Sequence, residues 1–186
     1  MSRKALKFLT LRETKSLMKQ IKTSRDKAIF LIAYRHGLRA SEIGLLRVGD
    51  INLKDRSIYL TRVKGSVSGF QRIDEKEVEV LKPLMSSTST NKPLFRSQKG
   101  CPISRQQLDR LIKSYGTLAR LPKSKRHFHI LKHSIAVHLL QAGAEIILVK
   151  ELLGHKSIQN TLLYAEVVSK FRDARQEELF SSKEIY

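Results

Sequence analysis

Several things are scarce in this chain, and each shortage narrows what it can be. One cysteine, Cys101, stands in 186 residues. That leaves no internal disulfide framework, and a reducing cytosol is the compartment that fits. No apolar run approaches the ~18 residues of a membrane-spanning helix, and no leader pattern opens the chain, so neither a membrane span nor a signal peptide is expected. Acidic residues are outnumbered: 17 Asp and Glu face 36 Lys and Arg, for a formal net charge of +19 and a pI near 10.3. The imbalance is silent about fold but favours a polyanionic partner, with nucleic acid ahead of a membrane surface. What the chain does have is core material. At 41% hydrophobic it can bury a proper interior, which excludes a disordered basic tail and suits one domain with at most a small appendage.

The periodicity predicts a mainly α protein with a small antiparallel β-sheet, an α+β arrangement. Thr10-Leu11-Arg12-Glu13 reads as a capping box, followed by Leu11, Leu17, Met18 and Ile21 at helical spacing. Ser24 starts a second helix that stops near Gly37, and Ala40 to Leu46 reads as a short third. Ile51 to Leu53 and Ser57 to Thr61 read as strands joined at Lys54-Asp55. The Gly65 to Gly69 turn then leads to a strand at Phe70 to Ile73. Glu75 to Met85 is expected to be helical, Ser86 to Asn91 a polar loop, and Gln98 to Gly100 a turn. Ser104 caps a helix to Leu118, and Leu121 to Arg126 is a basic loop. Helices follow at Ile130 to Gln141, Glu145 to Leu153 and Thr161 onward, broken by Gly143 and Gly154. The tail, 169–186, is charged and expected to be helical in its first half.

Four separated segments carry the chemistry: Gly37-Leu38-Arg39-Ala40-Ser41-Glu42-Ile43, then Arg62-Val63-Lys64-Gly65, then His129-Ile130-Leu131-Lys132-His133-Ser134, and last Leu153-Gly154-His155 with Tyr164. Cutting a phosphodiester without a metal needs three things. These are a nucleophile, cations for the charge developing on the non-bridging oxygens, and an acid for the leaving oxygen. The residue types supply all three. Taken singly, each also has an ordinary reading: Tyr164 as a core aromatic beside Leu162 and Leu163, Arg39 as a helix-end cation, and Glu42 as half of an i, i+3 pair. Lys64 could be a charged turn residue, and His129 and His155 packed or surface imidazoles.

In order and spacing, the four segments together resemble the catalytic domain of the tyrosine recombinases, the group that includes phage integrases and bacterial DNA invertases and shares its fold with type IB topoisomerases. The resemblance runs from about Thr10 to Val168. It implies that Tyr164 attacks a DNA phosphate and forms a 3′-phosphotyrosyl bond, with a 5′ hydroxyl as leaving group. It further implies that Arg39 clamps the phosphate with support from Glu42, and that Lys64 protonates the leaving oxygen. By the same match, His129 assists proton transfer at the tyrosine and His155 donates to a phosphate oxygen; His133 and His138 read as packing and helix support. Lys132 stands where the family usually has arginine. Its charge survives there but the fork that grips two oxygens does not, so a working but slower enzyme is expected. No metal and no cofactor is expected: no H-E-x-x-H pattern occurs and one cysteine builds no thiolate site.

Ser104 and Arg105, at a helix start, and Lys123, Lys125 and Arg126, in a basic loop, are candidate DNA contacts. For each, a solvated basic surface explains the sequence equally well. The partner implied is double-stranded DNA, with four protomers on two duplexes, a monomer when free, and accessory DNA-bending proteins. The whole chain, 1–186, is expected to be one catalytic domain, with the Phe171 to Phe180 tail exchanged between protomers. Only nine residues precede Thr10, so the separate DNA-clamping domain of many relatives is not expected here, and a fragment or trimmed gene product would read the same. That arrangement is similar to the short fimbrial-switch invertases and should make binding weak and salt-sensitive. Two other functions stay open on the sequence: a catalytically impaired DNA-binding protein of the same fold, and a nicking-closing enzyme of topoisomerase IB type.

Overall fold

Thr10 is where the described fold begins to organise. Its hydroxyl accepts from the Glu13 N–H at 3.2 Å while the Glu13 carboxylate accepts from the Thr10 N–H at 2.7 Å, so the capping box is formed. In the computed structural model, residues 6–85 and 89–181 are described. Helix α1 (Leu11–Gln20) is followed by α2 (Ser24–Arg35), α3 (Ala40–Ile43), a 3-10 turn (Val48–Asp50), β1 (Ile51–Asn52), β2 (Ser57–Leu60) and β3 (Gly69–Arg72). Then come α4 (Glu75–Met85), α5 (Arg105–Leu118), a 3-10 turn (Lys123–Lys125), α6 (Ile130–Gln141), α7 (Ile146–Leu152) and α8 (Gln159–Ser181). The sheet is antiparallel in the order β1-β2-β3, with Ile58 opposite Ile51 and Gln71, and Leu60 opposite Gly69. The mainly helical fold with one small sheet is as the periodicity predicts.

Two cores meet at Tyr34, which packs against both. The larger gathers α1, α2, the inward face of β2, α4 and α5 around Phe30, Ile58, Leu81, Phe95 and Ile112. The smaller gathers α6, α7 and α8 around Val137, Val149, Leu153 and Tyr164. Helix α6 bridges them, packing on α2 and on α8. Leu9 is pinned to α6 at two points: its N–H donates to Ser134 Oγ at 2.8 Å and its carbonyl accepts from His138 Nε2 at 2.7 Å. That leaves His138 Nδ1 to accept from the Tyr34 hydroxyl at 2.7 Å, so His138 is a packing residue.

The element ends differ from the sequence reading where tertiary contacts take over. Helix α3 stops at Ile43 rather than Leu46: the Leu45 and Leu46 N–H groups turn to carbonyls three residues back, Glu42 at 3.1 Å and Ile43 at 3.4 Å, and the Leu46 carbonyl accepts from the Leu94 N–H at 2.8 Å. Gly44 is also pressed so close that a Cβ would lie 2.9 Å from the Ile103 carbonyl oxygen. Strand β3 sits one residue earlier than expected, at Gly69–Arg72, in register with β2. Helix α8 starts at Gln159, whose N–H donates to Ser157 Oγ at 3.2 Å, and runs through the tail to Ser181. Residues 86–88 of the expected polar loop and 182–186 of the tail lie outside the described residues. Among the described residues no helix is long and apolar enough to cross a membrane.

Candidate active site

Two helix ends launch the candidate residues, and both close in the same way. At the end of α2 the Leu38 N–H reaches the Ala33 carbonyl at 2.9 Å and the Gly37 N–H reaches Tyr34 at 3.2 Å. At the end of α7 the His155 N–H reaches Lys150 at 3.0 Å and the Gly154 N–H reaches Glu151 at 2.9 Å. These are Schellman endings, which need a left-handed residue at C′. Gly37 and Gly154 supply it, with φ of +56° and +67°. The chain leaves each turn sharply, one delivering Arg39 and the other His155. Space is as tight as the torsions: a Cβ on Gly154 would stand 2.9 Å from the Val67 carbonyl oxygen and 3.2 Å from Arg62 Nε. Gly154→Ala is therefore expected to cost at least ~1–2 kcal/mol from the left-handed backbone alone, plus displacement of the Val67 loop. Thermal denaturation will register it as a lowered midpoint.

Glu42 is the electrostatic centre of the site. It is 1% exposed, and its two oxygens accept from the Arg39 N–H at 2.8 Å, Arg39 NH1 at 2.8 Å, Arg62 NH1 at 3.1 Å and the Val63 N–H at 3.3 Å. Burial alone would raise this carboxyl. The Arg39 N–H and the charges of Arg62, Arg39 and Lys132 outweigh burial and hold it below the usual carboxylate range. Arg39 is thus oriented by Glu42, and its NH1 also donates to Ser66 Oγ at 2.9 Å, in the β2–β3 loop.

Tyr164 comes from α8 and is 2% exposed. Its hydroxyl lies 3.0 Å from His133 Nδ1, and its ring runs nearly parallel (9°) to the His155 imidazole with centroids 6.5 Å apart. Burial pushes the phenol up to about 12, with the Arg39 charge pulling the other way. His129 was expected at the tyrosine and His133 in support. The contact with the hydroxyl is made by His133, and His129 stands edge-on behind it with ring centroids 4.4 Å apart. His155 Nδ1 is paired with Thr161 Oγ1 at 3.0 Å, which leaves Nε2 as its working nitrogen.

The imidazoles are held neutral. Burial and then the Lys132 and Arg39 charges bring His129 and His155 down to about 4. Burial and then His129 bring His133 to about 3. Lys132 is 1% exposed and its Nζ donates to the Leu153 carbonyl at 2.8 Å, one residue before the Gly154 turn. Burial first, and then repulsion from Arg62 and Arg39, brings its ammonium to about 7.

Lys64 is exposed, with φ +55° at the hairpin tip. It shares an open cleft of about 770 Å³ with Arg39, Arg105, His127 and His129. Arg105 therefore faces the same opening as the candidate catalytic groups. The Ser104 hydroxyl instead caps α5, accepting from the Gln107 N–H at 3.2 Å. In the basic loop, Lys125 pairs with Glu13 at 2.7 Å, and Arg126 donates to the Leu121 carbonyl and Thr117 Oγ1, both at 2.8 Å. Of those three cations, only Lys123 is exposed. Among the described residues no three His, Cys, Asp or Glu side chains are grouped to hold a metal ion.

Two residues of this site escaped the sequence reading. His127 lines the cleft one position before Phe128, with no local signal to mark it. Arg62 was legible in principle: Ile58 and Leu60 face the core, and Arg62 continues that parity as a charge pointing inward.

Comparison with known proteins covers most of the chain. A model of the phage integrase family matches residues 7–170. The chain is 37% identical over 166 residues to the type 1 fimbriae regulatory protein FimB of Escherichia coli K12, covering 84% of this chain and 82% of that protein. It is 36% identical over 148 residues to tyrosine recombinase XerC of Neisseria gonorrhoeae, covering 77% of this chain and 47% of XerC. Among solved structures, XerA recombinase superposes with a TM-score of 0.79 at 24% identity over 96% of this chain and 65% of that one. XerH bound to its palindromic difH substrate after cleavage gives 0.77 at 25% identity, over 96% and 54%. The chain thus spans about half the length of XerC and XerH.

Proposed function

The chain belongs to the phage integrase family, and from that premise we propose that it is a site-specific DNA recombinase in which Tyr164 is the nucleophile. The observation that carries the reading is the convergence on Tyr164 of His133 from α6 and His155 from the α7 turn, beside Arg39 held by Glu42. The Tyr164 oxygen attacks phosphorus and its proton passes to the His133–His129 pair. The bond from phosphorus to the 5′ oxygen breaks, its electron pair leaves on that oxygen, and Lys64 supplies the proton. The product is a 3′-phosphotyrosyl bond and a free 5′ hydroxyl. Attack by a 5′ hydroxyl reverses each step, so no metal, cofactor or nucleotide hydrolysis is called for. Arg39, Lys132 and His155 Nε2 neutralise the non-bridging oxygens. A docked phosphate adds negative charge beside the buried imidazoles and raises their pKa, which makes neutral His133 a stronger base for the phenol proton.

Double-stranded DNA is the partner, and the cleft holding Lys64, Arg105 and His127 is the surface assigned to it. Lys123, Lys125, Arg126 and the α5 start at Ser104 are secondary candidates. The active assembly is four protomers on two duplexes in the cytoplasm, from a protein that is a monomer when free, with accessory DNA-bending proteins joining it. The exposed Phe171 and Phe180 of α8 are the surface assigned to the neighbouring protomer. Residues 1–186 act as one catalytic domain.

Lys132 gives the reading a pH signature. Its ammonium is present below about 7 in the DNA-free protein and lost as pH rises. Cleavage at limiting DNA, which reports the free enzyme, will therefore fall above neutrality. Lys132→Arg keeps its charge throughout. It will remove that alkaline limb and raise the rate at pH 8 by up to ~10-fold, since each pH unit above a pKa leaves a tenth of the charge. An unchanged limb, or a slower Arg variant, contradicts the role given to Lys132. The function itself is tested with nicked duplexes selected from a random-sequence pool by covalent capture on the protein. A trapped protein–DNA complex supports cleavage and its absence supports a binding module. Relaxation of any supercoiled plasmid regardless of sequence supports a nicking-closing enzyme.

A further inference from the structure

Arg62 has no place in the reaction just described, yet it holds the site's segments together. Its side chain is 1% exposed, and NH1 and NH2 are each engaged by two protein acceptors. NH1 donates to the Gly37 carbonyl at 3.2 Å and to Glu42 Oε2 at 3.1 Å. NH2 donates to the His36 carbonyl at 2.8 Å and to the Leu152 carbonyl at 2.7 Å. Its own N–H donates to Ser68 Oγ at 2.9 Å, across the hairpin. Each of these acceptors sits next to a candidate catalytic group. Gly37 precedes the turn to Arg39, Glu42 orients Arg39, Leu152 begins the turn to His155, and the 62–68 loop bears Lys64. Leu152 and Leu153 offer adjacent carbonyls, the first held by Arg62 and the second by Lys132 Nζ at 2.8 Å. The Leu152 oxygen takes a second donor, Gln71 Nε2 at 3.0 Å, and Gln71 is held in turn by His36 Nδ1 at 2.7 Å.

We propose that Arg62 is the positioning residue of this site: it fixes the Arg39 turn, the Lys64 hairpin and the His155 turn against one another, so that clamp and acid meet one phosphate. The proposal rests on the cleavage reaction above. Only a planar fork with five donors lets a hairpin side chain serve four acceptors on two other segments; an ammonium has three donors at one point. A buried ion pair adds little net stability over an apolar replacement of the same shape, so the arrangement is better explained by placement than by stability. Placement matters at this scale, since a displacement of ~1 Å costs about 100-fold in rate.

The test uses Arg62→Lys in the full chain, with Tyr164→Phe as the blank and duplexes selected by covalent capture on the wild type. Three versions of the scissile linkage are compared: the normal phosphodiester, a neutral methylphosphonate that needs less of the cation clamp, and a 5′-bridging sulfur whose thiolate leaves without an acid. Expected are DNA affinity within about twofold of wild type and cleavage of the normal linkage slower by about 100-fold. On each altered linkage the defect will shrink to about 10-fold or less, as one displaced group ceases to matter. A purely structural defect lowers active protein equally on all three, and an equal loss overturns the proposal, as does cleavage at the wild-type rate. Should Arg62→Lys not fold, Gln71→Leu takes its place. It removes the second donor to Leu152 from a half-buried position, with about a fivefold loss expected and the same linkage pattern. A wild-type protein that forms no adduct on any linkage overturns the cleavage reading itself; wild-type cleavage with an unimpaired Arg62→Lys overturns only the role of Arg62.

Discussion

Tyr164→Phe will bind DNA and form no covalent complex with it. The substitution removes one oxygen and leaves the ring in the α6–α7–α8 core, where Tyr164 is 2% exposed and packs with Val137, Val149 and Leu153. The lost contact is the hydroxyl to His133 Nδ1 at 3.0 Å. Leaving that nitrogen unpaired costs about 1–3 kcal/mol at most, so the variant stays folded. The chemistry has no such tolerance, because the phenolic oxygen is the atom that bonds to phosphorus in the proposed step. Adduct formation is expected to fall by at least ~10⁴-fold, the scale on which enzymes lose rate when a nucleophile is deleted. DNA affinity, set by cations that the change does not touch, should stay within about twofold. Affinity and adduct yield measured on one oligonucleotide check both halves. An adduct surviving at wild-type yield would remove Tyr164 from the mechanism.

Glu42→Gln carries the second large effect, and it acts on the fold as well as the site. The carboxylate faces Arg39 and Arg62 from a position 1% exposed. Removing the anion leaves Arg62 buried without its counter-charge, a change that typically costs about 3–5 kcal/mol. Against a domain stability of roughly 5–15 kcal/mol, that is enough to shift the denaturant midpoint strongly. The pH dependence follows from the direction of the Glu42 shift. Its pKa in the folded state lies below the 4.5 of the free side chain. Its contribution is therefore complete above about that pH and is lost as pH falls through the folded value. The wild type will lose stability on acidification below pH 4.5 more than Glu42→Gln does, because the amide has no proton to gain. Glu77, Asp74 and Glu13 are also depressed, so the comparison between the two proteins isolates Glu42. Parallel stability profiles would show that the carboxylate is not the anchor described.

Most of the helices were legible because their signals are local. The Thr10–Glu13 and Ser104–Gln107 boxes form as their spacing predicts, and Gly37 and Gly154 end helices where a left-handed residue is needed. Candidate residues from four segments proved readable in the same way, as short stretches with chemical types in order. What could not be read was set by contacts distant in sequence. Helix α3 ends short of Leu46, where the chain instead pairs with Leu94. The contacts of Lys125 and Arg126 with Glu13, Leu121 and Thr117 are equally absent from the sequence of the basic loop. The division of labour between His129 and His133 is likewise invisible along the chain. Helical spacing puts both on α6 or its cap, and only the docking of α8 decides which one meets the phenol. Arg62 is intermediate: its inward parity follows from the sequence, but its four acceptors come from segments 20 to 90 residues away.

The most direct test of the account is the identity of the bond that holds DNA to the protein. The trapped complex would be digested with nuclease and protease, and the peptide carrying residual nucleotide sequenced by mass spectrometry. The account predicts one modified residue, Tyr164, joined through its phenolic oxygen to a 3′ phosphate, with a free 5′ hydroxyl on the other strand end. Attachment at any other residue, or a 5′-phosphate linkage at Tyr164, would contradict it.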